Sequence, residues 1–315
     1  MTGTIGYAVS SGLGIQTRAL IDNGVVDKIF IVPHSHYKKE DWYSKSQVVG
    51  SIEELLDACD SLVFIETPFF WDIIPKARER GIKTTLIAMY ECTPYPFPYS
   101  PDVLLGCSAM ETEHYKKLGY TNECEHINAP VDIKWKQRNK ARVFVHNSGH
   151  GGSLGRNSTK EVLEAMNYVK SPIKLIVRSQ NGNYKSFDSR VEIINESVPY
   201  EELWEEGDIL LLPEKFGGSF LPMQEAFASG MGVMATDRFP TNDWLPKQLL
   251  IKPVGYKQIK MGSYFQMAEI DPVKIAQKID GWYNEDISEF SKMGKRWGEN
   301  NNWKSLKNIY IKAIK

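Results

Sequence analysis

Short apolar segments alternate with longer amphipathic segments along most of this chain. In the first half the apolar segments lie at 4–9, 28–33, 61–66, 83–90 and 104–108. The second half restarts the same rhythm, with apolar segments at 142–146, 173–178, 191–195, 209–212 and 231–236. Alternation of this kind predicts βαβ units built around mostly parallel sheets. The fold class is therefore α/β.

The sequence predicts two α/β halves joined by a crossing segment, Asn128–Lys134. A length of 315 residues is enough for two domains of ordinary size. Because ligands usually bind between such halves, at the carboxyl ends of parallel strands, we expect a cleft between the two domains.

Composition is that of an ordinary globular protein, with 42% apolar and 24% charged residues and a net charge of −1. This balance gives no overall attraction to nucleic acid or to anionic membranes. Two local stretches are basic, namely 295–315 and the lysines at 247, 252, 257 and 260. They are interpreted either as solvated surface or as a patch for a phosphate-rich acceptor.

The sequence predicts a cytoplasmic protein, in the host cytoplasm if the protein is viral. The four cysteines show no CxxC spacing, which favours free thiols in a reducing compartment. The N-terminus lacks the pattern of a signal peptide, and no apolar run is long enough to span a membrane. The oligomeric state stays open.

A glycine-bearing loop follows the apolar run Ile209–Leu212. The run stops at Pro213, the loop contains Gly217 and Gly218, and a helix is predicted to open near Pro222. Glycines allow the backbone to approach a ligand closely, and the backbone amides at a helix N-terminus form an anion site. A carboxylate in the first turns, Glu225, is suited to accept hydrogen bonds from sugar hydroxyls. The loop is therefore predicted to bind a nucleotide-sugar.

A second glycine-rich loop, 146–158, follows the predicted strand 142–146. Its glycines suit a backbone that wraps phosphate oxygens, and Arg156 near its end supplies a cation. His146 and His150 are interpreted as hydrogen-bonding loop residues, because no carboxylate or cysteine cluster accompanies them. No metal site is predicted.

The segment Phe216–Ala226 resembles the donor-site signature of retaining GT-B-fold glycosyltransferases of family 4. Residues 198–203 with Asp208 are similar to the segment that precedes this signature, and 230–236 to the strand that follows it. The resemblance is strongest from 142 to 240. It leaves open whether the chain resembles a phage-type member of this family. It implies a GT-B fold of two Rossmann-like domains facing a central cleft: 1–133 on the acceptor side and 134–297 on the nucleotide-sugar side. A helix at 298–315 is then expected to pack back on the N-terminal domain.

The resemblance also implies donor contacts in the C-terminal half. Glu225 matches the acid that holds the ribose. The family's first acid falls on Gly217, so the sugar contacts pass to nearby Glu214 or to loop amides. The set expected in this loop is Glu214, Gly217, Gly218, Ser219, Phe220, Leu221 and Glu225.

Phosphate contacts are implied in both glycine loops. Arg156 matches a family arginine that stabilises the leaving diphosphate, Asn157 replaces the adjacent lysine, and Lys160 is a substitute one helical turn on. Gly151 and Gly152 belong to the same loop. In the first half, Gly12 and Gly14 match the family's first glycine loop.

Glu91 stands where many relatives carry a histidine near the sugar. We expect it to touch donor or acceptor in a catalytic role, or to cap its own loop. The predicted catalytic residues are thus Arg156, Glu225 and Glu91.

The predicted activity is metal-independent transfer of a sugar from a nucleotide-diphosphate sugar to an acceptor hydroxyl, with retention and with no cofactor. The chain lacks an Asp-x-Asp motif and a GxGxxG motif with a following acid, which disfavours metal-dependent transferases and nicotinamide dehydrogenases. The acceptor is a glycan or lipid-linked glycan, or a hydroxymethylated DNA base. The alternative is a non-catalytic nucleotide-sugar-binding or regulatory protein, suggested by Gly217 and Asn157. An epimerase ranks lower because its acid pair is missing.

Overall fold

The chain divides into two units in this computed structural model. The structure describes residues 1–35, 38–149, 155–180, 184–196, 198–218, 220–260 and 264–315. The first unit contains residues 1–128 and 303–315, and the second contains residues 129–260 and 264–302.

The first unit is built on a parallel sheet of 7 strands. Its strands are β1 (Thr2–Gly6), β2 (Lys28–Ile31), β3 (Val48–Val49), β4 (Ser61–Ile65), β5 (Lys83–Ala88), β6 (Val103–Gly106) and β7 (Glu123–His126). They lie in the order β3-β2-β1-β4-β5-β6-β7. The connecting helices are α1 (Gly12–Asp22), α2 (Ile52–Ala58), α3 (Ile73–Glu79) and α4 (Ala109–Lys117).

The second unit is built on a parallel sheet of 5 strands in the order β10-β9-β8-β11-β12. These are β8 (Val143–Gly149), β9 (Lys174–Ser179), β10 (Val191–Ile194), β11 (Ile209–Leu212) and β12 (Gly232–Ala235). A separate antiparallel ribbon is formed by β13 (Gly255–Lys260) and β14 (Tyr264–Glu269). The helices are α5 (Thr159–Ala165), α6 (Leu221–Ala228), α7 (Thr241–Trp244), α8 (Pro272–Trp282) and α9 (Ser288–Asn300), with 3₁₀ turns at Tyr200–Glu202 and Lys247–Leu249.

Strand β11 shows how the second sheet is covered on both faces. Ile209 and Leu211 pack in the core cluster that includes residues of α5 and α8. Leu210 and Leu212 pack in the opposite cluster, which includes residues of α6. Side chains alternate between faces along a strand, so an uninterrupted apolar run is what a strand buried on both faces requires.

The last helix, α10 (Trp303–Ile314), packs against β4 and β5 of the first unit. Lys83 Nζ donates to the carbonyl of Ala313 at 3.1 Å, and Tyr310 and Ile314 are buried. The chain end therefore returns to the first unit, as the resemblance implied.

Three local expectations were wrong. Gly12 and Gly14, which the resemblance placed in a glycine loop, lie in the first turn of α1, because Ser11 caps the helix and accepts from Gly14 N at 3.2 Å. Strand β8 runs on to Gly149, because its ladder with β9 continues to Ser179 past an irregularity. The helix expected at 298–315 begins only at Trp303, after a break that separates it from α9, which ends at Asn300.

Candidate functional site

Strand order reverses between β8 and β11, and this reversal brings two loops together at one edge of the sheet. In doubly wound sheets, ligands bind outside the carboxyl ends of the strands at such a switch point. We call residues 150–158 the β8 loop and residues 213–220 the β11 loop. They are joined where Lys215 N donates to the carbonyl of Arg156 at 2.8 Å.

Arg156 is held in a defined place within this edge. Its guanidinium carbon lies 5.2 Å from the centre of the Phe220 ring, the residue that precedes α6. A cation over an aromatic face is attracted by about 0.5–2 kcal/mol, depending on how far the pair is desolvated. The sequence-predicted Arg156 and Phe220 are therefore brought together.

The neighbours of Arg156 in the β8 loop have different surroundings. Asn157, where the resemblance expected a lysine, uses its side-chain amide to donate to Ser148 O at 3.1 Å. Lys160 is exposed in the first turn of α5. Gly151 and Gly152 lie outside the described residues, as does Ser219 of the β11 loop.

Gly217 occupies a backbone conformation that requires glycine. Its φ is +126°, and a Cβ there would lie 2.5 Å from Cε2 of Phe220. L-residues with a side chain rarely adopt such a φ. An acid at this position, which the resemblance would have supplied, is thus incompatible with the loop as it is built here. Its neighbour Gly218 is buried, and Leu221 at the start of α6 is partly buried.

Glu214 is fully buried and its carboxylate is already engaged within the second unit. It accepts from Thr241 Oγ1 at 2.8 Å and from Thr236 N at 3.3 Å, and it lies 3.2 Å from Arg238 Nε. Burial raises the pKa of Glu214, and Arg238 opposes that rise. A direct contact between Glu214 and a donor stays a prediction.

Glu225 lies in the second turn of α6 with both carboxylate oxygens hydrogen-bonded. Tyr200 Oη donates to Oε1 at 2.6 Å and Trp204 Nε1 donates to Oε2 at 3.2 Å. Burial raises the pKa of Glu225 to about 7, and these two bonds oppose the rise. The carboxylate thus already accepts from a hydroxyl, which is the chemistry a ribose contact requires. That ribose contact stays a prediction.

Sequence reasoning missed three residues of this region: Tyr200, Trp204 and Arg238. Arg238 follows β12 closely and so lies at the same carboxyl edge of the sheet, which is a usable signal. Tyr200 and Trp204 precede β11, and the spacing to Glu225 gave no indication that they meet it.

The remaining predicted site residues belong to the first unit. Gly14 packs so closely on the segment that follows β1 that a Cβ would lie 2.0 Å from Val9 O, whereas a Cβ at Gly12 would meet nothing within 4 Å. Glu91 is buried, with 3% of its surface exposed. It contributes to the raised pKa of buried Glu111, about 8, whose main cause is burial. Roles for Gly12, Gly14 and Glu91 in binding or catalysis stay predictions.

Metal-ligating groups do not cluster in the part of the chain that the structure describes, where no set of three or more His, Cys, Asp or Glu is suitably placed. His146 lies between Leu211 O at 2.7 Å and Thr159 Oγ1 at 2.9 Å, and burial lowers its pKa to about 4. Among the described residues, no helix has the length and apolar character to cross a membrane.

Comparison with solved structures identifies the architecture. The chain is similar to HepE from Anabaena in complex with UDP-glucose (10% identity, 99% of this chain and 98% of that chain, TM-score 0.69). It is also similar to a sucrose-phosphate synthase from Thermosynechococcus elongatus (12% identity, 99% and 98%, TM-score 0.66). A third is the lipopolysaccharide outer core galactosyltransferase WaaB in its apo form (15% identity, 99% and 97%, TM-score 0.64). The sequence matches no protein-family model and no curated protein.

These structures are GT-B glycosyltransferases, and the chain has their fold of two Rossmann-like units. The fold class predicted from the sequence is therefore confirmed.

Proposed function

We propose that this chain is a glycosyltransferase that moves a sugar from a nucleotide-diphosphate sugar to an acceptor hydroxyl. The observation that carries the proposal is the joining of the β8 and β11 loops at the switch point, with Arg156 over Phe220 at the start of α6. An arginine and a helix N-terminus meet there, and each of these favours a phosphate group.

Arg156 is assigned to the leaving diphosphate. As the glycosyl bond breaks, negative charge grows on that diphosphate, and a guanidinium held in place stabilises it in the transition state. We propose a same-face displacement with retention, in which the leaving phosphate accepts the acceptor's proton. No metal ion is needed for this step, and the chain has no Asp-x-Asp motif to hold one.

Glu225 is assigned to the nucleotide ribose. Its carboxylate accepts from the Tyr200 hydroxyl at 2.6 Å, which shows that a hydroxyl donor fits against Oε1. A ribose hydroxyl that takes the place of Tyr200 makes the same kind of bond. HepE is described in complex with UDP-glucose, and a pneumococcal O-GlcNAc transferase with a similar structure in complex with UDP and GlcNAc. UDP-sugars are therefore the first donors to test.

The acceptor is proposed to be a glycan or lipid-linked glycan, or a hydroxymethylated base in DNA. Lys257 and Lys260 on the ribbon β13–β14 are exposed, which is compatible with either acceptor when it carries phosphate. Duplex DNA binding weakens steeply as salt rises, because phosphate contacts release counterions. Binding to hydroxymethylated duplex DNA that falls steeply between low and physiological salt would favour the DNA acceptor.

The direct test is to incubate the protein with a panel of nucleotide sugars and to follow release of the nucleoside diphosphate. The proposal expects slow hydrolysis of at least one donor, with the α-anomer of an α-linked donor sugar released first in NMR spectra. EDTA is expected to leave the rate unchanged. A donor panel that is neither bound nor hydrolysed would defeat the proposal.

A second candidate is a nucleotide-sugar-binding protein without transferase activity. Gly217 favours it, because the φ of +126° and the nearby Phe220 ring leave no room for the acid that the family uses. This candidate predicts a thermal shift with a donor but neither hydrolysis nor transfer. Measurable turnover with any acceptor would exclude it.

A further inference from the structure

Arg238 is a buried arginine at the carboxyl edge of the second sheet, with 5% of its surface exposed. Its Nη2 donates to the carbonyl of Gly217 at 2.5 Å and its Nη1 to the carbonyl of Phe239 at 2.8 Å. A single planar side chain thus ties the end of β12 to the middle of the β11 loop.

The charge of Arg238 is compensated inside the unit by Glu214, whose Oε1 lies 3.2 Å from Arg238 Nε. Glu214 is itself held by Thr241 Oγ1 at 2.8 Å. A buried guanidinium paired with a buried carboxylate is poorly suited to neutralise a ligand diphosphate. It is well suited to hold backbone groups, because the rigid fork of arginine fixes the direction of each bond.

The part of the loop that Arg238 holds is the part with the tightest conformational requirement. Gly217 has a φ of +126° and lies against Phe220. The guanidinium carbon of Arg238 lies 5.9 Å from the centre of the Phe220 ring, and that of Arg156 lies 5.2 Å from it. Phe220 is therefore set by the same residue that holds Gly217.

We propose that Arg238, with Glu214 as its counter-ion, is the positioning residue that fixes the β11 loop and Phe220 so that Arg156 and the loop amides face the donor diphosphate. This inference rests on the proposed function. Arg238 acts through Gly217 and Phe220 and is not assigned a contact with the donor. Preorganised hydrogen-bond donors stabilise a developing charge less well when they must be reordered during binding or reaction.

The test compares binding of nucleoside diphosphates with binding of the matching monophosphates by calorimetry. Wild-type protein is first screened with UDP, GDP, ADP and dTDP, and the tightest of these is used with its monophosphate. The main variant is the double substitution Glu214→Gln with Arg238→Met, because Arg238→Met alone leaves a buried carboxylate without its partner. Arg238→Lys keeps the charge but removes the fork.

We expect the double variant to lose about tenfold or more in affinity for the diphosphate and less than about threefold for the monophosphate. Each factor of ten corresponds to about 1.4 kcal/mol. Arg238→Lys is expected to recover part of the loss. The matched control is Asp188→Asn with Arg190→Met. Arg190 also pairs with an acid and donates to carbonyls, but it precedes β10 at the opposite edge of the sheet. Its variant should change stability without a selective loss for the diphosphate.

Three outcomes would overturn the inference. The first is a double variant that binds the diphosphate as tightly as wild type does. The second is a double variant that loses affinity for the diphosphate and the monophosphate equally. In both, wild-type protein binds the diphosphate. In both cases the proposed function survives. If wild-type protein binds none of the four diphosphates, the proposed function fails and this inference fails with it.

Discussion

The guanidinium of Arg156 lies over the ring of Phe220, 5.2 Å from its centre. The two residues come from different loops, which follow β8 and β11. These strands are neighbours in the sheet, although β9 and β10 lie between them in the sequence. Their contact fixes a cation at the N-terminus of α6, where we propose that the donor diphosphate binds.

Replacing the Phe220 ring tests this contact. Phe220→Leu keeps an apolar side chain before α6 but removes the face over which both Arg156 and Arg238 lie. We expect kcat/KM for donor hydrolysis to fall by about tenfold, because the substitution removes a cation–π contact of roughly 1–2 kcal/mol. The control is Phe290→Leu, since Phe290 contacts Trp282 in the opposite core cluster. An equal loss in both variants would contradict the prediction.

Gly217 is expected to tolerate no side chain. Gly217→Ala places a methyl group at a φ of +126° and against the Phe220 ring. At a compatible φ, replacing glycine by alanine raises the free energy of unfolding by roughly 0.4–1 kcal/mol. At a positive φ the same replacement lowers it, and by more than that amount. The expected result is a lower midpoint of urea unfolding together with weaker donor binding. Wild-type stability and binding in this variant would show that the loop is built differently.

Gly14 and Gly12 form a matched pair in the first turn of α1. A Cβ at Gly14 would lie 2.0 Å from Val9 O, so Gly14→Ala must shift the helix and is expected to destabilise the protein clearly. A Cβ at Gly12 meets nothing within 4 Å, so Gly12→Ala is expected to leave stability unchanged or slightly higher. Thermal unfolding measures both. A Gly12→Ala protein that is as unstable as Gly14→Ala would argue against the close approach of Gly14 to Val9.

Glu225 is expected to make stability depend on pH. Burial raises its pKa in the folded protein from the ordinary value of 4.5 to about 7, so the folded protein binds the proton more tightly than the unfolded chain. Stability from this group is therefore present at low pH and is lost as pH rises from about 4.5 to about 7, by roughly 3 kcal/mol in total. Glu225→Gln should flatten that part of the profile of urea unfolding against pH. Identical slopes in wild type and variant would refute it.

The sequence was sufficient where a feature depends on neighbours along the chain. Strand β11 occupies Ile209–Leu212 as predicted, because four apolar residues ending at a proline suit a strand buried on both faces. Ser51 caps α2 and accepts from Glu54 N at 3.1 Å, because a serine before a helix with an acid in its first turn is a local signal.

Features that depend on tertiary packing could not be predicted. Tyr200 and Glu225 are 25 residues apart and meet only after β11 and α6 have packed. Glu214 and Arg238 meet because β11 and β12 are paired in parallel, which brings their carboxyl ends together. The ribbon β13–β14 was missed because the sequences of its two strands lack the apolar alternation that marks a half-buried strand.

The most direct measurement of the central claim is the rate at which wild type and Arg156→Ala release nucleoside diphosphate from a panel of nucleotide sugars. Arg296→Ala, an exposed arginine of α9, is the control. We expect slow release by wild type and by the control from at least one donor, and a rate lower by about 10²–10³ for Arg156→Ala. Release by Arg156→Ala at the wild-type rate, or no release from any donor by wild type, would contradict it.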